Sequence, residues 1–366
     1  MKLNTLEEAR RAWASHAPQH AKRGVILPGV TSYIPDGWKE NFEMAMDAQP
    51  TMNTDPNSAV PAMLTTMIDP EVFRIIFTPN EAANIFGEQK KGSWVDQTAM
   101  FPVVEATGEV SSYGDFVSNG RAGANTNWPQ RQSYLFQIVT EYGERELEMA
   151  GLAKINWVSE LDQAVAISMD KYQNLTYFFG VRGLANYGLL NDPGLSAPLT
   201  PSTKAATGTK WINASGQVVA TANEIFNDIQ AVYIQLVNQT GGNVKANAKM
   251  TLALSPSREA ALTQTNSFNV NVADLLKKNF PNLTVTSAVQ YGAQTAANPQ
   301  GVAAGEFLQL IVDQVKGQKS GYCAFNEKMR AHKIIPGLSS FSQKKTGGTW
   351  GAIVRAPICI ASMLGI

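Results

Sequence analysis

The chain has 366 residues, 44% of them apolar, and 30 Lys and Arg balance 30 Asp and Glu. That length exceeds one ordinary domain, and the apolar share supports a real core, which excludes global disorder. Zero net charge argues against a protein that grips nucleic acid along a basic groove, because phosphate neutralisation supplies that affinity, and it leaves little long-range repulsion between copies.

Residues 1–60 carry one helix signal, the Thr5/Glu8 capping box ahead of Pro18, and then scattered Pro and Gly without a sustained period, which reads as an extended N-terminal arm. Short helices and strands are expected over 61–87, with Asp69-Pro70 and Thr78-Pro79 as helix starts. From Trp94 to Tyr142 the apolar period becomes two, in "WVDQTAMFPVVEATGEVSSYGDFV" and again in "SYLFQIVTEY". Between them lies the polar, glycine-rich "SNGRAGANTNWPQRQ", so 92–142 reads as a long β excursion with a flexible end. An isolated two-stranded ribbon is marginal in water, and this one carries large apolar side chains. Either it packs on its own chain or other copies cover it.

A short helix is expected over "GERELEMAGLA", followed by a rod helix at about 158–179. Ser159 would cap the rod with Asp162 reaching back, and Leu161, Val165, Met169, Tyr172 and Phe179 would share one face. At 1.5 Å per residue such a rod is roughly 30 Å long. Gly180 and Gly183 end it, and "GLANYGLLNDPGL" follows without an obvious catalytic side chain. Residues 196–216, rich in Ser, Thr, Ala, Pro and Gly, read as a domain boundary. Beyond it the pattern is α/β: a helix from the Thr221/Glu224 box to Val237, a strand in "KMTLALSP", helices at 257–264 and 272–280, and strands in "NLTVTSAVQ" and "EFLQLIVDQV". Residues 321–366 return to strand and turn.

Chemistry-bearing patterns are sparse. His16 and His20 have a four-residue spacing, but Pro18 lies between them with no Cys or acidic partner nearby, and His332 stands beside Arg330 and Lys333. No Walker loop, Cys-x-x-Cys, G-x-S-x-G or G-x-G-x-x-G occurs, and Gly120-Arg-Ala-Gly123 is too short to cradle a phosphate. Glu144, Glu146 and Glu148 fall on a charged helix face that solvation explains. Cys323 and Cys359 read as reduced core residues of a chain made in a reducing compartment. The N-terminus lacks the apolar core of a signal peptide, and no apolar run approaches ~20 residues, so no membrane partner is expected. No catalytic residue, metal or cofactor is assigned, and an ordinary metabolic enzyme is disfavoured.

The order of parts is the more specific signal. Arm, β excursion, short helix, rod helix, the Gly188-Leu189-Leu190-Asn191 turn, a separate α/β unit and return strands together resemble the major capsid proteins of tailed bacteriophages, with the Hong Kong 97-type fold. The excursion's "WVDQTAMFPVVEATGEVSSYGDF" and the aromatic strand Ser133-Tyr134-Leu135-Phe136 are similar to one branch of that family, and the resemblance covers nearly the whole chain. It implies an α+β fold with an N-terminal arm (1–60), an extended β loop (92–142), a peripheral domain (61–91, 143–209 and 321–366) containing the spine helix, and an axial domain (210–320).

It also implies a structural protein that self-assembles, as hexamers and pentamers, into the icosahedral head shell of a virion enclosing double-stranded DNA, built in the host cytoplasm. Portal, scaffolding and decoration proteins are implied as partners, and contact with packaged DNA should be weak and non-specific. Trp94, Phe101, Val103, Tyr113, Phe116, Arg121, Trp128, Arg131, Tyr134 and Phe136 are the candidates for subunit contact, with Arg121 and Arg131 near the loop tip available to acidic residues of a neighbour. Gly180, Gly183, Gly188, Leu189, Leu190 and Asn191 form the structural turn, with both leucines anchored in the core. Some family members weld subunits through a lysine–asparagine bond. No lysine lies between Lys91 and Lys154, so no cross-link of that pattern is expected. A chain starting at Met1 leaves no room for a large removed segment, so scaffolding is expected to be a separate protein. Three other readings stay open at this point: an encapsulin-like nanocompartment shell, an α/β enzyme with a site of scattered residues, and a tail or baseplate component.

Overall fold

A computed structural model describes residues 79–116, 118–153, 155–205 and 208–366. The expected arm, the Thr5/Glu8 box, the His16/His20 pair and the elements expected over 61–78 lie outside the described residues. In chain order the structure runs α1 (Ala82–Phe86), β1 (Glu88–Lys90), β2 (Thr98–Met100), β3 (Val103–Gly108), β4 (Ala122–Asn127), β5 (Gln130–Gln132), β6 (Tyr134–Gly143), α2 (Glu144–Leu152) and α3 (Trp157–Phe179). It continues with α4 (Ala222–Gln239), β7 (Met250–Leu254), α5 (Pro256–Ala261), α6 (Val272–Asn279), β8 (Leu283–Ser287), β9 (Phe307–Val312), β10 (Gln314–Val315), β11 (Gln318–Lys319), β12 (Gly321–Pro336), β13 (Ser340–Val354) and β14 (Ile360–Leu364).

Two four-stranded sheets organise these elements. The first has the order β1-β12-β13-β6, with β1 parallel to β12 and the other pairs antiparallel. Its centre is the long β12–β13 hairpin, whose register shifts between Ala324 and Ile334 mark bulges that bend the strands. The rod α3 lies on one face of this sheet. Tyr172 meets the rings of Phe136 and Tyr134 at centroid distances of 4.8 and 6.3 Å, and the Thr176 and Thr349 hydroxyls are 3.0 Å apart. Tyr134 and Phe136 therefore belong to the sheet, not to the excursion, which is shorter than the 92–142 expected. They alternate with exposed neighbours, so the same period-two pattern that marks a free ribbon also fits a sheet strand with one covered face.

The start of α3 also differs from expectation. Its cap is Asn156, whose side chain accepts from the Ser159 amide at 3.4 Å, and Asp162 pairs with the buried Lys345 of β13 instead of closing a box with Ser159. An ammonium group that would otherwise sit unpaired in the sheet is the stronger claimant on that carboxylate.

The second sheet has the order β14-β9-β7-β8, with β7 and β8 parallel. Here α4 is capped as its sequence predicts: Glu224 accepts from the Thr221 amide at 2.8 Å, and its own amide donates back to the Thr221 hydroxyl at 3.4 Å. Ile225, Ile229, Val232 and Leu236 repeat at three- and four-residue steps and bury that helix against Leu252, Leu310 and Met363. The last strand leaves the 321–354 hairpin and pairs with β9, so the end of the chain closes the α/β unit.

The 196–216 segment is packed more tightly than a boundary composition suggests. Lys204 is buried and paired with Asp228 of α4, whose carboxylate also accepts from Trp211 Nε1 at 2.8 Å and the Ser202 hydroxyl at 2.9 Å. Ser, Thr and Pro read as linker, yet these polar side chains are what a buried aspartate requires. Replacing Asp228 with Ala strands the Lys204 charge and the Trp211 donor, so Asp228→Ala is expected to destabilise the chain by roughly 3–5 kcal/mol in chemical denaturation.

Candidate inter-subunit surface

Residues 180–195 are where the parts of the molecule meet. Gly180 ends α3 at φ 62°, and the chain doubles back so closely that a Cβ on Gly188 would stand 2.2 Å from the Phe178 carbonyl carbon. The Leu189 and Leu190 amides donate to the carbonyls of Tyr177 and Phe178 at 2.8 and 3.0 Å. Asn191 locks the turn: its Oδ1 accepts from the Gly188 amide at 2.7 Å, and its Nδ2 donates to the Phe179 carbonyl at 2.6 Å. These bonds satisfy carbonyls that the end of a helix leaves open.

Leu189 is wholly buried in a cluster that spans both sheets, with Phe178, Tyr291, Phe307, Ile311, Ala352 and Ile360, while Leu190 is half-buried beside it. The Tyr187 carbonyl accepts from the Ala352 amide of β13 at 2.9 Å, and Gln309 of β9 donates to the Leu189 carbonyl at 3.3 Å. One turn thus bonds to the rod, to the first sheet and to the second. Gly183 is different: it has φ 91° but open space around it.

The same turn holds the root of the excursion. Arg131 pairs with Asp192 at 2.6 Å, both largely buried, and its guanidinium lies 4.8 Å from the centroid of Tyr187. Gln132 exchanges bonds with Ala185, and Asn186 Nδ2 donates to the carbonyls of Gln132 and Thr349 at 3.0 and 3.1 Å. Arg131 is therefore a root residue whose acidic partner is in its own chain. In sequence it was indistinguishable from Arg121, because nothing local shows that Asp192 folds back beside it.

Trp94 likewise docks on its own hairpin, edge-on to His332 at 5.8 Å and under the Arg330 guanidinium at 5.2 Å. Phe101 packs with Ala99 against Tyr322, Ala324, Trp350 and Ile353. Five of the ten contact candidates, namely Trp94, Phe101, Arg131, Tyr134 and Phe136, are thus occupied within the subunit.

The distal half of the excursion behaves otherwise. Every residue of β3 and β4 is exposed. Val103, Val104 and Trp128 stand in solvent, and at the tip Tyr113 and Phe116 are 93% and 102% exposed, with Arg121 exposed between tip and strand. Register sorts the ribbon into two faces. Val104 opposes Thr126, Ala106 opposes Ala124 and Gly108 opposes Ala122 on one face, while Val103–Asn127, Glu105–Asn125 and Thr107–Gly123 form the other. Directly opposed residues project to the same side, so one face is small and apolar and the other is polar.

Reactive groups elsewhere are held inert. In the cleft of about 130 Å³ lined by Asn80, Glu88, Asp170, Asn174, Tyr177 and Lys328, burial and then the Glu88 carboxylate push the Tyr177 phenol above its ordinary range, so it stays a donor to Glu88 at 2.8 Å. Burial pushes the Cys323 thiol up, and Cys359 is buried as well. His332 Nε2 lies 3.0 Å from the Thr346 hydroxyl, a packing role between strands. Among the described residues, no group of three His, Cys, Asp or Glu could hold a metal ion, and no helix is long and apolar enough to cross a membrane.

Comparison with known proteins agrees with this architecture. Residues 51–365 match the family model of the Pa193 gp26 major capsid protein. Among solved structures, the capsid of Myoviridae phage XM1 superposes with a TM-score of 0.66 at 13% identity, over 85% of this chain and 100% of that chain. Microbacterium phage Oxtober96 gives 0.55 at 10% identity, over 83% and 96%, and the capsid of the native GTA particle gives 0.53 at 12%, over 84% and 99%. No curated protein matches in sequence.

The two turn glycines are expected to differ in cost. Gly188→Ala drives a methyl group into helix backbone and should cost at least about 3 kcal/mol, or prevent folding. Gly183→Ala meets no atoms and should cost about 1 kcal/mol through its left-handed backbone alone. Denaturation midpoints of the two variants check the order.

Proposed function

The chain belongs to the Pa193 gp26 major capsid protein family and has the Hong Kong 97-type fold, so it is a head-shell protein of a tailed-phage virion; from that premise we propose how its copies join. The distal ribbon of one subunit lies over a neighbouring subunit with its small apolar face down. The observation that carries this is the contrast along one excursion, whose root is bonded to its own subunit and whose outer half has every strand residue exposed. Covering Val104 on that face, with Val110, Tyr113 and Phe116 toward the tip and Trp128 beyond β4, gains on the order of 10 kcal/mol per copy before the cost of ordering and association.

In this reading the first sheet, α3 and the turn form the peripheral unit, and residues 210–320 form the axial unit, which meets its equivalents around five- and six-fold centres. β14, from the 321–366 return assigned to the peripheral unit, completes the axial sheet by pairing with β9. The described Arg121 remains available to an acidic group on the neighbour. Double-stranded DNA fills the shell with weak, non-specific contacts, in keeping with the zero net charge. A portal protein and, where the head uses them, scaffolding or decoration proteins complete the assembly, which takes place in the host cytoplasm.

Adjacent positions on opposite faces of β4 test the proposal. Electron microscopy should show closed hollow shells from the parent chain. Ala124→Lys should lower shell yield more than about tenfold, because it buries an unpaired charge, whereas Asn125→Lys should leave the yield within about twofold. Equal effects of the two would sink the assigned face, and a parent chain that never forms shells would sink the reading as a whole.

A further inference from the structure

The far end of the first sheet presents a second anomaly. The turn of the β12–β13 hairpin reads Ile334-Ile335-Pro336-Gly337-Leu338, five successive apolar residues that are all exposed, with Leu338 at 106%. Such a run in solvent is expected only where something covers it. Beside it stands α2, a nine-residue helix with no buried residue, whose Met149 and Leu152 are exposed, the latter at 87%. A helix this short is not stable in water on its own side chains; Leu147 and Ala150 are half-buried against the subunit, while Met149 and Leu152 on its outer side are left uncovered. The two features adjoin: Ser340 pairs with Gly143, and the Glu144 amide donates to the Ser339 carbonyl at 3.0 Å.

Charge tells the two apart. Near its tip the hairpin carries the exposed Lys333 and Lys344, while α2 carries exposed Glu144, Glu146 and Glu148 against Arg145. Hairpin on hairpin would bring lysines together, and helix on helix would bring glutamates together. Hairpin on helix pairs opposite signs around an apolar centre.

We propose that this end is a second self-interface, in which the Ile334–Leu338 turn of one copy packs on α2 of the next. It rests on the head-shell reading and deepens it. A head-to-tail contact of one kind closes a ring or winds a filament, so a closed surface needs a contact in a second direction. The ribbon supplies one direction and this end supplies the other.

Cysteine pairing tests the geometry, because the chain's own Cys323 and Cys359 are buried. Chains carrying Leu338→Cys and chains carrying Leu152→Cys, co-assembled and mildly oxidised, should give a disulfide-linked heterodimer. A Leu338→Cys chain that links mainly to itself, or intact shells without the heterodimer, would overturn the proposal. Charge reversal gives an independent readout. Lys333→Glu with Lys344→Glu, or Glu144→Lys with Glu148→Lys, should each lower shell yield more than about tenfold while the melting curve is kept, and the fourfold variant should regain it. Parental yield from either reversal, or no recovery in the combination, refutes the interface. Loss of shells from the parent chain would instead refute the head-shell reading.

Discussion

The backbone of Gly188 lies on the last turn of α3 with no room for a side chain, and the rest of the molecule is arranged by that approach. Because it is so close, the amides of Leu189 and Leu190 reach helix carbonyls, and Leu189 falls into the seam between the two sheets. The same geometry presents Tyr187 and Asp192 to Arg131 and thereby aims the excursion. Rod, sheets and ribbon share one joint. Hydrophobic burial supplies most of the energy there, but it is non-directional, and the bonds of Asn186, Asn191 and Gln309 select one orientation from many equally greasy ones.

The excursion is a cantilever, and its chemistry changes along its length. At the root, an ion pair, a cation stacked on a ring and several backbone bonds act within the subunit. Beyond β5, among the described residues, β3 and β4 pair only with each other, and a two-stranded ribbon is marginal in water. A stiff root with an uncovered outer half is a poor design for a monomer. In the proposed assembly it separates two tasks: direction is set inside each copy, and adhesion is left for the neighbour. The apolar hairpin turn and the outer side of α2 show the same contrast at the other end of the sheet.

Elements governed by local pattern were legible in the sequence. The Thr221/Glu224 box, the period of α4 and the strands at 250–254 and 307–312 depend on neighbours a few residues away, and they stand where the pattern puts them. The turn was legible too, since glycines at 180 and 188 flanking a helix end imply a tight reversal. Relations across long separations were hidden. Arg131 and Arg121 look alike in a line of residues, and only the fold brings Asp192 to one of them. Lys204 and Trp211 sit in a stretch that reads as linker until Asp228 arrives beside them. Period two marked Tyr134 and Phe136 as ribbon, because alternation reports a covered face without saying what covers it.

Buried polar groups in such a protein invite a catalytic reading, and their surroundings argue for a mechanical one. The Asp228 carboxylate is surrounded by Lys204, Trp211 and Ser202, Tyr177 is bonded to Glu88, and Lys345 is tied to Asp162, so each buried group is held by a partner in its own chain. Each of these pairs joins elements far apart in the chain: linker to α4, rod to β1, rod to β13. Replacing them with apolar contacts of equal volume would keep much of the stability, since a buried ion pair does little better than a hydrophobic pair. What would be lost is a fixed angle between elements. Around a closed shell a small angular error in one subunit is repeated by every copy, and the surface fails to meet itself. Directional bonds at the joints, which hold rod, sheets and linker at set angles, are what that closure condition asks of a single chain.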